Sequence, residues 1–156
     1  MELAMNLIIR NALPTDIDFI VNANNSVNDA SGLTRADNKL KERLDQDFFP
    51  TNKTRSNARI LIAEVDGMPV GVLVYSTCYF MKEGDCIWMS NIFVAENHRR
   101  SGIAEKLIER LKEIAKTEKY NLVCFLEDEQ NQPAREFAFK NGSKEVPNLR
   151  LFFIKL

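Results

Sequence analysis

The densest chemistry in the sequence lies in Ala95-Glu96-Asn97-His98-Arg99-Arg100-Ser101-Gly102-Ile103-Ala104. Two arginines, a hydroxyl and a glycine stand just ahead of a strongly periodic apolar stripe. A helix that begins there turns its unpaired N–H groups and the positive end of its dipole outward, into surroundings that the guanidinium groups make positive. A phosphate suits such a place. Gly102 and Ala104 carry nothing larger than a methyl group, so a pyrophosphate could approach the backbone. The same residues also read as a solvated helix entrance with Ser101 as a plain N-cap, and the loop taken alone leaves both open. The nucleotide P-loop pattern and G-x-G-x-x-G are absent, and six scattered glycines cannot hide either.

Other reactive side chains are few. His98 is the single histidine, which leaves little for a catalytic triad or a histidine-based metal site, and no metal is expected. Cys78, Cys86 and Cys124 lie in or beside apolar segments without the close pairing of a disulfide framework or zinc site. They are expected to be buried, reduced thiols. Lys plus Arg number 21 against 22 for Asp plus Glu, so no global positive field invites nucleic acid or an anionic membrane. The longest apolar run, around 68–75, falls far short of the roughly 20 residues of a spanning helix. The start, Met1-Glu2-Leu3-Ala4-Met5-Asn6, has an acid where a signal peptide carries basic residues, and predicts an uncleaved cytoplasmic chain.

The elements that must position the loop follow from pattern. Residues 5–10 predict a strand. Thr15-Asp16-Ile17-Asp18 has capping-box spacing and opens an amphipathic helix through Ile17, Ile20 and Val21. The Asn-rich stretch 22–57 predicts loop, apart from one helix through Leu40, Leu44 and Phe48 that ends before Pro50. Segments 58–65 and 69–80 form a hairpin around Asp66-Gly67, and 87–94 is the next strand. Ile103, Leu107, Leu111 and Ile114 set a helix over 102–118. Residues 122–126 read as a buried strand, Gln132-Pro133 starts a short helix that Asn141-Gly142 stops, and 149–156 is a final strand. The order describes an α/β chain whose mixed sheet has helices on its faces, with 87–126 as a parallel crossover unit. The last strand, as a sheet edge, could pair two copies into a homodimer.

Ile92-Phe93-Val94 followed by Arg99-Arg100-Ser101-Gly102-Ile103-Ala104 resembles the signature R/Q-x-x-G-x-G/A of the GCN5-related N-acetyltransferase (GNAT) superfamily. The resemblance covers nearly the whole chain. Leu7-Ile8-Ile9-Arg10-Asn11-Ala12 with Asp16 looks like the family's opening strand and helix, and Ala63-Glu64-Val65-Asp66-Gly67-Met68-Pro69-Val70-Gly71 like its central hairpin. Asn131, Ala134 and Gly142 match its N-x-x-A spacing and helix-ending glycine.

That resemblance implies one GNAT-like domain over 1–156, built on a mostly antiparallel mixed sheet of six to seven strands flanked by about four helices. It implies acetyl-CoA as acyl donor. Amides of a bulged strand at Ile92, Phe93 and Val94 would hold the pantetheine arm, those of Arg99, Arg100, Ser101, Gly102, Ile103 and Ala104 the pyrophosphate. Asn131 would touch the cofactor, although its local chemistry is equally that of an N-cap. The expected reaction is direct attack by a primary amine on the thioester, with a base and a donor for the departing thiolate. The family's donor tyrosine is replaced by Ala138 and the aromatic after the last glycine by Ser143, and neither Phe137 nor Phe139 can donate. For the base, Asp85 before the fourth strand and Glu127 and Asp128 after the fifth stand nearest the expected cleft, each also readable as a solvated strand end. Asn91 could hold a water. His98 reads as a surface or cofactor-edge residue, and Tyr75, Tyr79 and Trp88 as core or cleft lining. The acceptor, a small-molecule or peptide amine, has no readable code in 22–57 or 145–148. A catalytically inert acyl-CoA-binding or sensing domain is the alternative from another class, and an interaction module that binds nothing at the loop is a second.

Overall fold

The structure, a computed structural model, describes residues 6–30, 39–49, 56–147 and 154. The chain divides into two compact units, Met1–Phe125 and Leu126–Leu156.

In the first unit, β1 (Leu7–Asn11), β2 (Ala58–Val65), β3 (Met68–Phe80), β4 (Gly84–Val94) and β5 (Leu122–Cys124) form one sheet in the order β1-β2-β3-β4-β5. The first three pairings are antiparallel and β4 with β5 is parallel. The β2–β3 turn places Asp66 at φ 49° and Gly67 at φ 82°, the two consecutive positive angles that match the natural strand twist and that Asp-Gly supplies at low cost. The mixed, mostly antiparallel sheet is as expected, but its described strands number five rather than six to seven. Residues 149–156, predicted as the last strand, lie outside the described residues except for Ile154, which is exposed and in no strand. The homodimer edge proposed for that strand therefore falls outside them too.

One face of the sheet is covered by α1 (Ile17–Ala30) and α2 (Lys39–Phe48). Ile17, Ile20 and Ala23 of α1 and Leu44 of α2 pack on Ile60, Ile62 and Val72, with Phe93 against the cluster. Each such side chain contributes about 1.5–3 kcal/mol on full burial. The expectation of loop directly after Val21 is corrected, since α1 runs on to Ala30. Asparagine is a poor helix former, but Ala23 is buried and Val27 half-buried at helical spacing from Ile20, and that packing overrides propensity. The predicted capping box at Thr15 is corrected as well. A short 3₁₀ turn, Pro14–Asp16, precedes the helix, and it is the Asp16 carboxylate that accepts from the Leu13 N–H, at 2.7 Å.

The other face carries α3 (Ile103–Thr117), whose Ile103, Leu107 and Leu111 are buried. A Cβ built on Gly71 would come within 3.1 Å of Ala63 Cβ and 3.3 Å of both Ile103 and Leu107 side chains, so α3 lies directly on this glycine. Gly71→Val is accordingly expected to lift α3 and lower the unfolding free energy by about 1–3 kcal/mol through overpacking, read by urea unfolding. β5 is shorter and less buried than predicted for 122–126, with Leu122 exposed, and it is the last in the order of the described strands.

The second unit holds α4 (Gln132–Lys140). Asn131 caps it, its side-chain oxygen accepting from the Ala134 N–H at 3.3 Å. Gly142 at φ 86° follows its end, as the Asn-Gly signal predicts.

Candidate functional site

Where β4 leaves β5, the sheet opens. Pairing with β5 covers only Cys86, Ile87 and Trp88 of β4. From Met89 to Val94 no described strand lies on the outer edge. On the inner edge β4 stays paired with β3 to Val94, but the register shifts between Val74 and Tyr75, which face Asn91 and Met89. Ser90 is the extra residue of a β-bulge, so the bulge falls just before Ile92-Phe93-Val94 rather than within it. Beyond it, the Ala95 N–H donates to the Val70 carbonyl at 2.8 Å. Hydrogen-bonded and non-bonded pairs alternate along an antiparallel ladder, so Phe93 and Asn91 also turn their peptide groups to β3, while Ile92 and Val94 turn theirs to the open edge. The Val94 carbonyl confirms this by accepting from Arg99 Nε at 3.0 Å.

The strand runs straight into the anion loop. A 3₁₀ turn, Glu96–His98, is followed by Arg99 in extended conformation, Arg100 at φ 60° and Gly102 at φ 79°. Gly102, rather than Ser101, is the N-cap of α3, and no side chain caps that helix end. The Ser101 hydroxyl instead donates back to the His98 carbonyl. The N–H groups of Ile103 and Ala104 open the helix without a side-chain acceptor, as an anion site requires. A Cβ on Gly102 would meet no atom within 4 Å, so the space before it is open. Arg100 is exposed. The Arg99 side chain turns back, its guanidinium 5.9 Å from the Phe93 ring centre, and so braces the loop against β4. Beside it a cavity of about 430 Å³ is lined by Phe19, Asn22 and Ser26 of α1 and by Phe93, Glu96 and Arg99. Phe19 and Phe93 meet edge to face there, their ring centres 6.4 Å apart.

The structure brings Ile92, Val94 and residues 99–104 together along one continuous edge. The alternative catalytic candidates lie on different elements. Asp85 and Asn91 stand six positions apart on β4, about 20 Å along an extended strand, and cannot serve one reacting centre. Glu127 is exposed in the second unit, where its Oε1 accepts from Asn131 Nδ2 and from the Asp128 N–H, each at 3.1 Å. Asp128 Oδ1 accepts from the Gln130 N–H at 2.9 Å. Both acids thereby shape the turn before α4. Tyr75 is buried, Tyr79 exposed and Trp88 half-buried. Ala138 is half-buried within α4. The residue that pattern reading missed is Ser90. Its signal was present, because Ser90-Asn91 puts two polar residues side by side between two apolar runs, 86–89 and 92–94, of one strand.

All three cysteines are free thiols. Cys86 is buried as expected, while Cys78 and Cys124 are half-buried. Burial, and then the neighbouring Cys78, push the Cys124 thiol up to about 11, so it stays protonated at neutral pH. Among the described residues no group of three or more His, Cys, Asp or Glu side chains could hold a metal ion, and no helix is long and apolar enough to cross a membrane.

Several solved structures share this fold. A possible acetyltransferase from Clostridium difficile 630 is 17% identical, with 96% of this chain and 97% of that one covered and a TM-score of 0.77. An aminoglycoside N-acetyltransferase solved with CoA is 14% identical over 100% of this chain and 98% of its own, at a TM-score of 0.78. An aminoglycoside acetyltransferase from an uncultured soil metagenomic sample, solved with sisomicin, is 20% identical over 96% of each chain, at 0.75. At such identities the likeness is one of fold. No curated protein matches the sequence. The sequence model of the Acetyltransferase (GNAT) family does, across residues 27–142, a span that includes the open edge of β4, the loop with its left-handed Gly102, and α3. The chain belongs to the acetyltransferase (GNAT) family.

Proposed function

We propose that the protein binds acetyl-CoA along β4 and transfers the acetyl group to a primary amine of a small-molecule or peptide acceptor, the whole chain, 1–156, forming one acetyltransferase domain. The observation that carries this reading is the outer edge of β4, where no described strand pairs from Met89 to Val94, leading directly into the start of α3, which no side chain caps. An extended pantetheine arm would pair with the peptide groups of Ile92 and Val94 as a strand would, with Phe93 shaping the edge between them. The pyrophosphate would lie on the loop amides of Arg99 to Ala104, where Gly102 leaves open space and the helix dipole favours negative charge. Arg100 adds charge, and Arg99 holds the loop to Val94. The solved relatives that carry CoA and sisomicin support a thioester donor and an amine acceptor for the same fold.

The chemistry left to the chain is orientation. The amine nitrogen attacks the thioester carbon, a C–N bond forms, the C–S bond breaks, and the electron pair goes to sulfur. Coenzyme A's thiol resembles a free cysteine, with a pKa of about 8.5, so the thiolate can depart without the missing tyrosine. Ala138 is also the observation that favours the second reading, a domain that binds acyl-CoA without turnover.

Two measurements test the proposal. Because strand amides read the pantetheine arm, calorimetry is expected to show CoA binding at least tenfold tighter than ADP, a gap of about 1.4 kcal/mol. Equal affinities would point to a nucleotide site. Acetyl-CoA offered with a panel of amines should release free thiol. Tight CoA binding with no thiol release for any amine would establish the non-catalytic reading.

A further inference from the structure

The bulge on β4 singles out one side chain at the reacting end of the site. A pantetheine arm is about 15 Å long at standard bond lengths. Laid along β4 with its phosphate end at Val94, where the strand meets the loop, it passes Ile92, and the four positions from Val94 back to Ser90 cover about 13 Å. Its thioester therefore comes level with Ser90, beside the point where β5 stops pairing after Trp88. Ser90 has no partner opposite it on β3, and its side chain is exposed. The hydroxyl is not free to rotate at random, because Oγ donates to the Val74 carbonyl at 3.3 Å. With its proton directed at that carbonyl, Oγ presents lone pairs to the surroundings. It is an acceptor held in place at the level of the thioester, and the sharp local twist of a bulge is a known means of re-aiming a side chain at a site.

We infer that Ser90 orients the attacking amine, Oγ accepting a hydrogen bond from the amine N–H so that the nitrogen lone pair points at the thioester carbon. This rests on the acetyltransferase reading. The hydroxyl gives up no proton. The nitrogen's surplus proton leaves to solvent water after the C–N bond has formed, and the sulfur carries the electron pair of the broken C–S bond. Threonine retains the same Oγ and can make the same bond to Val74, whereas alanine retains only the strand.

The test compares wild type, Ser90→Ala and Ser90→Thr with the best amine of the panel, measuring kcat, amine KM and the affinity for CoA. Ser90→Ala is expected to lose roughly tenfold in kcat/KM for the amine, the scale of one hydrogen bond, with CoA affinity unchanged. Ser90→Thr is expected to recover most of the loss. Wild-type kcat/KM in Ser90→Ala overturns the inference alone, as does a parallel loss of CoA affinity in Ser90→Ala and Ser90→Thr, which would mean that the bulge only shapes the strand. A wild type that binds no CoA, or transfers acetyl to no amine, overturns the acetyltransferase reading and the inference with it.

Discussion

Asp16→Asn lowers the unfolding free energy by about 3 kcal/mol at neutral pH, the lower end of the cost of removing one member of a buried pair. Asp16 is only 3% exposed. Its carboxylate receives Arg10 Nη1 at 2.7 Å and Nη2 at 3.0 Å, together with the Leu13 N–H. Arg10 Nε meanwhile donates to Glu64 at 2.7 Å, so this network ties β1, β2 and the start of α1 together. The asparagine keeps the shape but leaves a guanidinium with half its charge partners. Burial alone would raise the Asp16 pKa, yet the Arg10 bonds and the Leu13 N–H prevail and hold it below the usual carboxylate range. The folded value is thus lower than the unfolded one of about 3.9. The stabilisation is full above that unfolded value and is lost as pH falls through the folded one. Urea unfolding of wild type and Asp16→Asn at pH 7 and at pH 3 checks both parts. The gap should be widest at pH 7 and should narrow in acid, and a gap below 1 kcal/mol at pH 7 would show that solvent already screens the pair.

Gly102→Val is expected to weaken CoA binding by at least a hundredfold, about 2.7 kcal/mol. Two effects combine. The left-handed backbone at φ 79° costs a β-branched residue about 1–3 kcal/mol of fold stability. The new side chain also projects into space that the protein leaves empty, and so meets the ligand rather than the core. Calorimetry with CoA beside urea unfolding distinguishes the two. A variant that remains folded but does not bind locates the ligand at this helix start, whereas normal binding by folded Gly102→Val would remove the site from the loop.

Much of this was legible in the sequence because local signals and tertiary packing agree. Asp66-Gly67 forms the turn its conformational preferences require, the stripe from Ile103 to Leu111 is buried, and the 87–126 crossover makes the parallel pair. The less legible features depend on partners distant in sequence. The full length of α1 is settled by the β2 and β3 side chains beneath Ala23, which outweigh its asparagines. Gly102 is the N-cap in place of Ser101, whose hydroxyl donates to the His98 carbonyl instead, and the sequence alone does not distinguish the two uses of that hydroxyl. The bulge at Ser90 depends on the register with Val74. The distance between the alternative candidates Asp85 and Asn91 was hidden for the same reason, since it cannot be judged until one strand, β4, is known to carry both, six positions apart.

The open side of β4 has a second consequence. Unpaired peptide groups along an extended edge are what one chain offers another when sheets add strand to strand. The atoms that suit this protein to an extended ligand are therefore also the ones through which it could be recruited into an aggregate. On the acetyltransferase reading, ligand and intruding strand would compete for the same hydrogen bonds, so an occupied edge would be closed to strand addition. On that reading, a proline or an inward charge, the devices that blunt other sheet edges, would here also remove the peptide groups offered to the ligand.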